Sequence, residues 1–307
     1  MFGKTIQEIR KSKNMTLKEA AGDSLSVSQL SRFENGKSMI PVDLFYEVLD
    51  NLNTTSEEFA FIHQPKKNKK IADLFERIEE YNNNNELDKL RNLQSEIQDM
   101  NPRVYSWEQF LIYFIESVLE AHGLRDQNQE RFDQRSFKAQ QPVLDYLMQV
   151  ENWGEMELRL YALFGFILDV ETTHFLMRTA LKKSKQYLEI PSTKKLLHTI
   201  LTNNFSTFLF NDHIRYAKET IQLFEERYSE ETEELGPHID FLFNKGLLAF
   251  KQKDPETGKK YCEQAISVCR MFKLKASEET YSRRYKSWKE NYDDPGYKEL
   301  TIKIGGI

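Results

Sequence analysis

The chain has 307 residues, room for two domains or for one domain and an extended array. Only 12 Gly and 8 Pro occur, which excludes an all-β protein built on many tight turns, and 21 Phe with 14 Tyr exclude an intrinsically disordered chain. The net charge of −5 points away from nucleic acid for the chain as a whole but leaves room for a local basic face.

Residues 1–64 read as five short helices. The first, Gly3 to Lys13, turns Ile6 and Ile9 to one side. Thr16-Leu17-Lys18-Glu19 and Ser26-Val27-Ser28-Gln29 both fit a capping box, in which the first hydroxyl and the fourth side chain satisfy each other's free amide donors. Asn35-Gly36 ends the third helix, because both residues tolerate a left-handed backbone. Pro41 opens the fourth, with Leu44, Phe45, Val48, Leu49 and Leu52 inward, and Thr54 to Glu58 caps the fifth. Residues 65–70 carry Pro65 and four Lys with no apolar residue, a composition expected of a basic linker.

Residues 71–307 are expected to be helix after helix. Segments 70–81 and 86–99 flank a polar loop of four Asn, 82–85. Pairs then follow at 105–121 with 137–150, 154–169 with 171–188, 194–209 with 212–228 and 236–251 with 256–272, before a last helix at 276–291. Gly246, Gly258 and Ala265 fall at offsets 0, +12 and +19, the small-residue positions of a tetratricopeptide-type helix pair. Phe205, Ala217 and Phe224 stand 41 residues earlier, a good match followed by a partial one. The spacing of about 41–44 exceeds a regular 34-residue repeat, so a degenerate superhelix is expected, its concave face built from the first helix of each pair. The fold class is therefore all-α.

Residues 16–35 have the layout of a helix-turn-helix, whose second helix enters the major groove of double-stranded DNA by its N-terminal residues. Ser26, Ser28, Gln29 and Arg32 are expected outward, with Leu25, Val27, Leu30 and Phe33 holding the helix to the core. Gln29 suits adenine and Arg32 guanine or a phosphate. Lys11 and Lys37 suit phosphates, and Thr16 opens the bracing helix. Residues 1–40 hold seven basic side chains (Lys4, Arg10, Lys11, Lys13, Lys18, Arg32, Lys37) against four acidic ones, a local balance of +3 inside an acidic protein. The alternative is a helical bundle that binds protein.

The stretch Ile9 to Lys13, followed by Leu30-Ser31-Arg32-Phe33-Glu34-Asn35-Gly36-Lys37 and Pro41, resembles the Xre/Cro-type helix-turn-helix family. It departs at Leu17, where a groove-facing Gln is common, and at the looser turn Ala21-Gly22-Asp23-Ser24. The resemblance implies that Arg10 and Glu34 form a structural pair. With the helical repeats and the segment Glu151-Asn152-Trp153…Glu157-Leu158 included, the whole chain resembles the Rgg/GadR/MutR transcriptional regulators. That resemblance implies a homodimer reading a pseudo-palindromic operator and a repeat region that receives a short signalling peptide. In tetratricopeptide-like grooves, an Asn two positions before offset zero often grips the ligand backbone, since an amide donates and accepts at once. Those positions are Asn244 and Asn203, with Asn204 a rival one residue on. A weaker register, Tyr161 with Ala180, gives Arg159, which could take a carboxylate or simply pair with Glu155. Phe243 and Leu247 would supply apolar pockets. The rival for the asparagines is a role in capping or bridging helices.

No enzyme is expected. Six scattered His show no metal-ligand spacing, and no phosphate-binding Gly-rich loop or nucleophile elbow occurs. No cofactor and no metal are expected. Cys262 and Cys269, seven residues apart on one helix and so roughly 10 Å from each other, are expected as buried small side chains. The basic run Arg283-Arg284-Tyr285-Lys286 reads as a solvated face, with contact to a partner subunit the alternative, and Thr301 to Ile307 as a strand or extended arm. No membrane span and no secretory leader are expected, which suits the cytoplasm. The rival functions are a regulator without a peptide ligand and a tetratricopeptide-type protein-binding adaptor.

Overall fold

The computed structural model describes residues 1–63, 66–126, 137–228, 234–294 and 297, and every regular element among them is helical. The tail expected at 301–307 lies outside the described residues. The chain divides into two compact units, Met1–Glu80 and Tyr81–Ile307.

The first unit contains the five expected helices, α1 (Phe2–Ser12), α2 (Leu17–Ala21), α3 (Val27–Glu34), α4 (Val42–Asn51) and α5 (Ser56–His63). Capping boxes open α2 and α3 as their sequences demand. A third opens α5, where the Thr55 N–H donates to Glu58 Oε2 at 2.7 Å and the Glu58 N–H to Thr55 Oγ1 at 3.1 Å. Ile6, Ile9, Ala20, Leu25, Leu30, Phe33, Val48, Leu49, Leu52 and Phe59 form the core. Gly36 takes φ +69° just after α3, the left-handed conformation expected of it.

Val27 departs from expectation: it is 44% exposed and belongs to no core cluster. It is the first residue of α3, directly after the capping Ser26, and at that point of the helix the side chain looks outward with its neighbours Ser28 and Gln29.

The basic linker is also revised. Residues 66–70 are the first turns of α6 (Lys66–Asn83), which runs across the division between the two units. Lysine is nearly as good a helix former as alanine, so the absence of apolar residues does not imply the absence of helix. The polar loop follows α6, with Asn85 in the left-handed region at φ 56°.

The second unit continues with α7 (Leu87–Asp99), α8 (Trp107–Asp126), α9 (Gln140–Gln149), α10 (Glu155–Phe164), α11 (Val170–Lys183), α12 (Pro191–Phe210), α13 (Ile214–Tyr228), α14 (Leu235–Lys251), α15 (Pro255–Met271) and α16 (Lys275–Asn291). Short 3-10 turns at Gly165–Ile167 and Lys185–Tyr187 replace the ends expected for two of the helices. Helices α10, α12, α14 and α16 are first helices of pairs, and α11, α13 and α15 are second helices.

Hydrogen bonds between equivalent helices fix the repeat length. Among first helices, Asn204 Nδ2 donates to Tyr161 Oη over 43 residues, and His198 Nε2 meets Asp240 Oδ2 over 42. The Tyr281 hydroxyl donates to Asp240 over 41. Among second helices, Tyr216 donates to Glu171 and His174 meets Glu219, each over 45. These separations bracket the 41–44 expected from sequence.

The small residues of the last pair sit where the helices touch. A Cβ on Gly246 would lie 2.5 Å from Cys262 Sγ and 2.9 Å from the Gly258 carbonyl oxygen, so α14 approaches α15 closely only because that atom is missing. Phe205, Ala217, Phe224 and Ala265 are all fully buried. Trp153 is buried as well, its Nε1 donating to the Leu147 carbonyl. Cys262 and Cys269 are buried thiols, and burial pushes Cys262 up to about 12.

Candidate functional site

The first unit builds its outer face on a paired interior. Arg10 grips Glu34 with two bonds, Nε to Oε1 at 2.7 Å and Nη2 to Oε2 at 2.8 Å, while Nη1 donates to the Met15 carbonyl. This pair ties α1 to the end of α3, and its hydrogen bonds hold the Arg10 guanidinium protonated beyond its ordinary range. Lys13 is equally occupied, donating to the carbonyls of Leu52 and Asn53 at the end of α4. Two of the seven basic side chains are therefore committed to structural bonds, Arg10 buried and Lys13 exposed. Lys11, Arg32 and Lys37 stand exposed, as does Lys18 on α2.

All seven residues expected at the DNA are exposed: Lys11, Thr16, Ser26, Ser28, Gln29, Arg32 and Lys37. Their chemistry is not equally available. The Thr16 hydroxyl accepts from the Glu19 N–H and donates to Glu19 Oε2. Glu19 Oε2 also takes the Thr16 N–H, and these bonds, the backbone one first, draw the Glu19 carboxyl below its usual range. Ser26 Oγ likewise accepts from the Gln29 N–H and donates to Gln29 Oε1, which also takes the Ser26 N–H at 3.0 Å. Thr16 and Ser26 are thus committed to capping. Gln29 presents its amide N–H groups outward while its oxygen is held, which removes the acceptor that a bidentate adenine contact needs. Arg32 makes no such capping bond.

In the second unit the first helices carry a seam of buried polar groups. Asp240 on α14 links His198 on α12 to Tyr281 on α16, all within the core or at its edge. Burial, then the Asp240 charge, raises the Tyr281 phenol well above its ordinary value, so it stays a donor. One helical turn on from His198 and Asp240 stand Thr202 and Asn244, again 42 residues apart. Thr202 Oγ1 and Asn244 Nδ2 are buried and have no hydrogen-bond partner among the described residues. Thr202 carries no motif, and only the repeat register could have drawn attention to it.

The expected peptide residues separate on inspection. Asn244 is 2% exposed and Asn203 7%, both inside the helical layer. Asn204, the rival of Asn203, is a bridge: its bond to Tyr161 Oη continues to the Thr173 carbonyl, joining α12, α10 and α11. Arg159 pairs with Glu155 through Nε at 2.9 Å and Nη2 at 2.7 Å, the alternative foreseen for it. Phe243 and Leu247 do not line open pockets. They are 0% and 1% exposed, with Phe243 against Tyr281 at 4.6 Å between ring centres and beneath the Arg284 guanidinium. Helix α14 is apolar on most of its circumference, so these two positions point into the pair and not out of it. Arg284 is correspondingly buried, which corrects the solvated position expected for it, while Arg283 and Lys286 are exposed.

Among the described residues no helix is long and apolar enough to cross a membrane, and no group of three His, Cys, Asp or Glu is placed to hold a metal ion.

Comparison with known proteins places this geometry. Residues 6–59 match the helix-turn-helix family, and residues 89–283 match the C-terminal domain of the HTH-type transcriptional regulator Rgg. The SHP pheromone receptor Rgg2 of Streptococcus dysgalactiae is 22% identical and superposes with a TM-score of 0.72 over 93% of this chain and 99% of its own. A protein of Listeria monocytogenes EGD-e is 20% identical, with a TM-score of 0.77 over 95% and 98%. A bacterial peptide pheromone/receptor complex is 13% identical, with a TM-score of 0.67 over 95% and 98%. These structural likenesses establish a common fold. With a helix-turn-helix unit followed by an Rgg repeat domain over most of its length, the chain belongs to the Rgg family of HTH-type transcriptional regulators.

Proposed function

We propose that this regulator works as a cytoplasmic homodimer whose repeat unit binds a short signalling peptide, and that peptide binding alters how two α3 helices engage a pseudo-palindromic operator. The observation that carries the peptide reading is the Asn244 amide, whose Nδ2 is buried with no partner among the described residues. A buried donor without an acceptor costs about 1–3 kcal/mol, and a peptide carbonyl is the group that would relieve it. Two of the similar structures are described as a pheromone receptor and a peptide pheromone/receptor complex, which supports the same reading. Asn203, on the preceding first helix, is the second candidate for the peptide backbone, and Arg159 is a candidate for its carboxylate once freed from Glu155. Phe243 and Leu247 contribute behind the groove, as the packing that fixes Asn244.

On the DNA side, Lys11 and Lys37 meet phosphates, and Arg32, Ser28 and Gln29 face base edges, with half-sites about one helical turn, ~34 Å, apart. Thr16 and Ser26 set the ends of α2 and α3.

Calorimetric titration of the full chain with short hydrophobic peptides encoded beside its gene tests this reading. Binding that weakens about 3- to 10-fold in Asn244→Ala supports it, the range expected of one hydrogen bond. Equal affinity in the variant overturns the assignment of Asn244, and binding by no such peptide overturns the peptide reading.

A further inference from the structure

The recognition helix carries one exposed side chain that packing does not explain. Val27 opens α3, is 44% exposed, and is a member of neither the core nor its partly buried fringe. Its neighbours on the same turn are the capping Ser26, Ser28 and Gln29. Valine is a poor choice for an exposed helical position, since its β-branch restricts χ1 and lowers helix propensity. Those same constraints hold its two methyl groups in nearly one place relative to the helix. The Ser26–Gln29 capping box sharpens the placement, fixing the first turn of α3 through bonds of 2.8 to 3.2 Å.

In a helix-turn-helix protein the N-terminal residues of the recognition helix meet base edges in the major groove. The apolar feature there is the C5-methyl group of thymine. Around Val27 the polar options are narrowed. The Ser26 hydroxyl donates to Gln29 Oε1, accepts from the Gln29 N–H and hydrogen-bonds Ser28 Oγ at 3.1 Å, and Gln29 Oε1 is held by the cap. We infer that Val27 is a specificity-determining residue for DNA, its methyl groups meeting the C5-methyl of one thymine in each half-site. Gln29, next but one, offers only its N–H donors to an acceptor on a neighbouring base.

The operator sequence need not be known in advance to test this. Full-length protein is used to enrich binding sites from a pool of random duplexes, and each thymidine of the enriched site is replaced in turn by deoxyuridine, which removes the methyl group alone. Affinities are measured by fluorescence anisotropy at fixed salt for wild type, Val27→Ala and Val27→Thr. At one thymine per half-site, deoxyuridine should weaken wild-type binding about fourfold, the worth of one methyl-sized group withdrawn from water. Val27→Ala should bind the thymine duplex about fourfold more weakly per half-site and be indifferent to deoxyuridine at that position. Val27→Thr, which keeps one methyl group, should fall between. Thermal melting of both variants should match wild type, because the side chain supports no core; if Val27→Ala melts early, the isosteric Val27→Thr decides. The inference is overturned if Val27→Ala stays as sensitive as wild type to every deoxyuridine, if it loses affinity equally for thymine and deoxyuridine duplexes, or if no site is enriched.

Discussion

The two units differ in how completely they pair their buried polar groups. In the first, each among the described residues has a partner: Arg10 has Glu34, Thr5 Oγ1 meets His63 Nδ1 at 2.9 Å, and Thr54 Oγ1 donates to the Leu52 carbonyl. The buried side-chain atoms lacking a partner among the described residues all fall in the second unit, Thr202 Oγ1 and Asn244 Nδ2 among them. The difference fits the proposed function, in which the first unit meets DNA and the second a peptide. A DNA-reading unit works through an outer face, so its interior can be fully satisfied and rigid. A unit that takes a ligand between its helices must leave some of that ligand's partners unmatched when empty.

The sharpest way to break this contrast is to unpair the first unit. Glu34→Ala leaves Arg10 charged in a nearly closed interior, and removing one partner of a buried ion pair costs about 3–5 kcal/mol. Hydrogen exchange of the full chain should show residues 1–63 losing protection and DNA affinity collapsing, while residues 137–228 keep theirs. Equal loss in both units would mean that the effect of unpairing Arg10 is not confined to the first.

The converse substitution belongs to the second unit. Asn244→Leu keeps the volume and removes an unpartnered buried amide, so the ligand-free protein should gain about 1–3 kcal/mol, read as a higher melting temperature. The same variant should bind the peptide about 3- to 10-fold more weakly. Gain of stability with weaker binding marks a group retained for a ligand. A destabilised variant would mean that Asn244 is already satisfied, and would remove the contrast.

How much of this can be read from residues varies by the kind of signal. Capping boxes and the Arg10–Glu34 pair are local chemistry at fixed spacing, and both are legible. So is the close approach at Gly246, because only a missing Cβ permits it. Val27 reads as core because its spacing to Leu30 and Phe33 suits an inward stripe; the capping box decides where the helix begins, and that turns Val27 outward. Phe243 and Leu247 read as groove because an almost wholly apolar helix does not reveal which side is inner wall and which is open. The orphaned Thr202 is invisible in sequence, since it is defined by what the surrounding helices fail to supply.

Helix caps offer a like-for-like comparison of smaller size. Ser26→Ala removes the acceptor for the Gln29 N–H in α3, and Asp254→Ala the acceptor for the Thr257 N–H in α15. Each should cost about 1 kcal/mol in its own unit. Ser26→Ala also removes one of the two donors that hold Gln29 Oε1, leaving only the backbone N–H of residue 26, so it should relax base preference beside the Val27 position, an effect that site enrichment with the variant would show. An unchanged enriched site would mean that the cap does not restrict Gln29.

Acid should produce the mildest response, and it differs in kind between the units. In the second unit Glu219 ties repeats together through His174 at 2.9 Å and through Arg178. Burial alone would raise its pKa, but the hydrogen bonds from His174 and Arg178 outweigh burial and draw it below the usual glutamate value of about 4.3. A carboxylate depressed on folding contributes its full stabilisation above the unfolded value and loses it as pH falls through the folded one. Glu219→Gln should therefore melt below wild type at neutral pH, with the gap narrowing below about pH 4 as Glu219 itself takes up a proton. In the first unit one depressed carboxylate is Glu19, held by Thr16 within one turn, so Glu19→Gln keeps both capping bonds and should show a smaller gap. A gap for Glu219→Gln that does not change with pH would mean that its charge is not what joins α11 to α13. The contrast between a carboxylate that links repeats and one that closes a single helical turn would then rest on geometry alone.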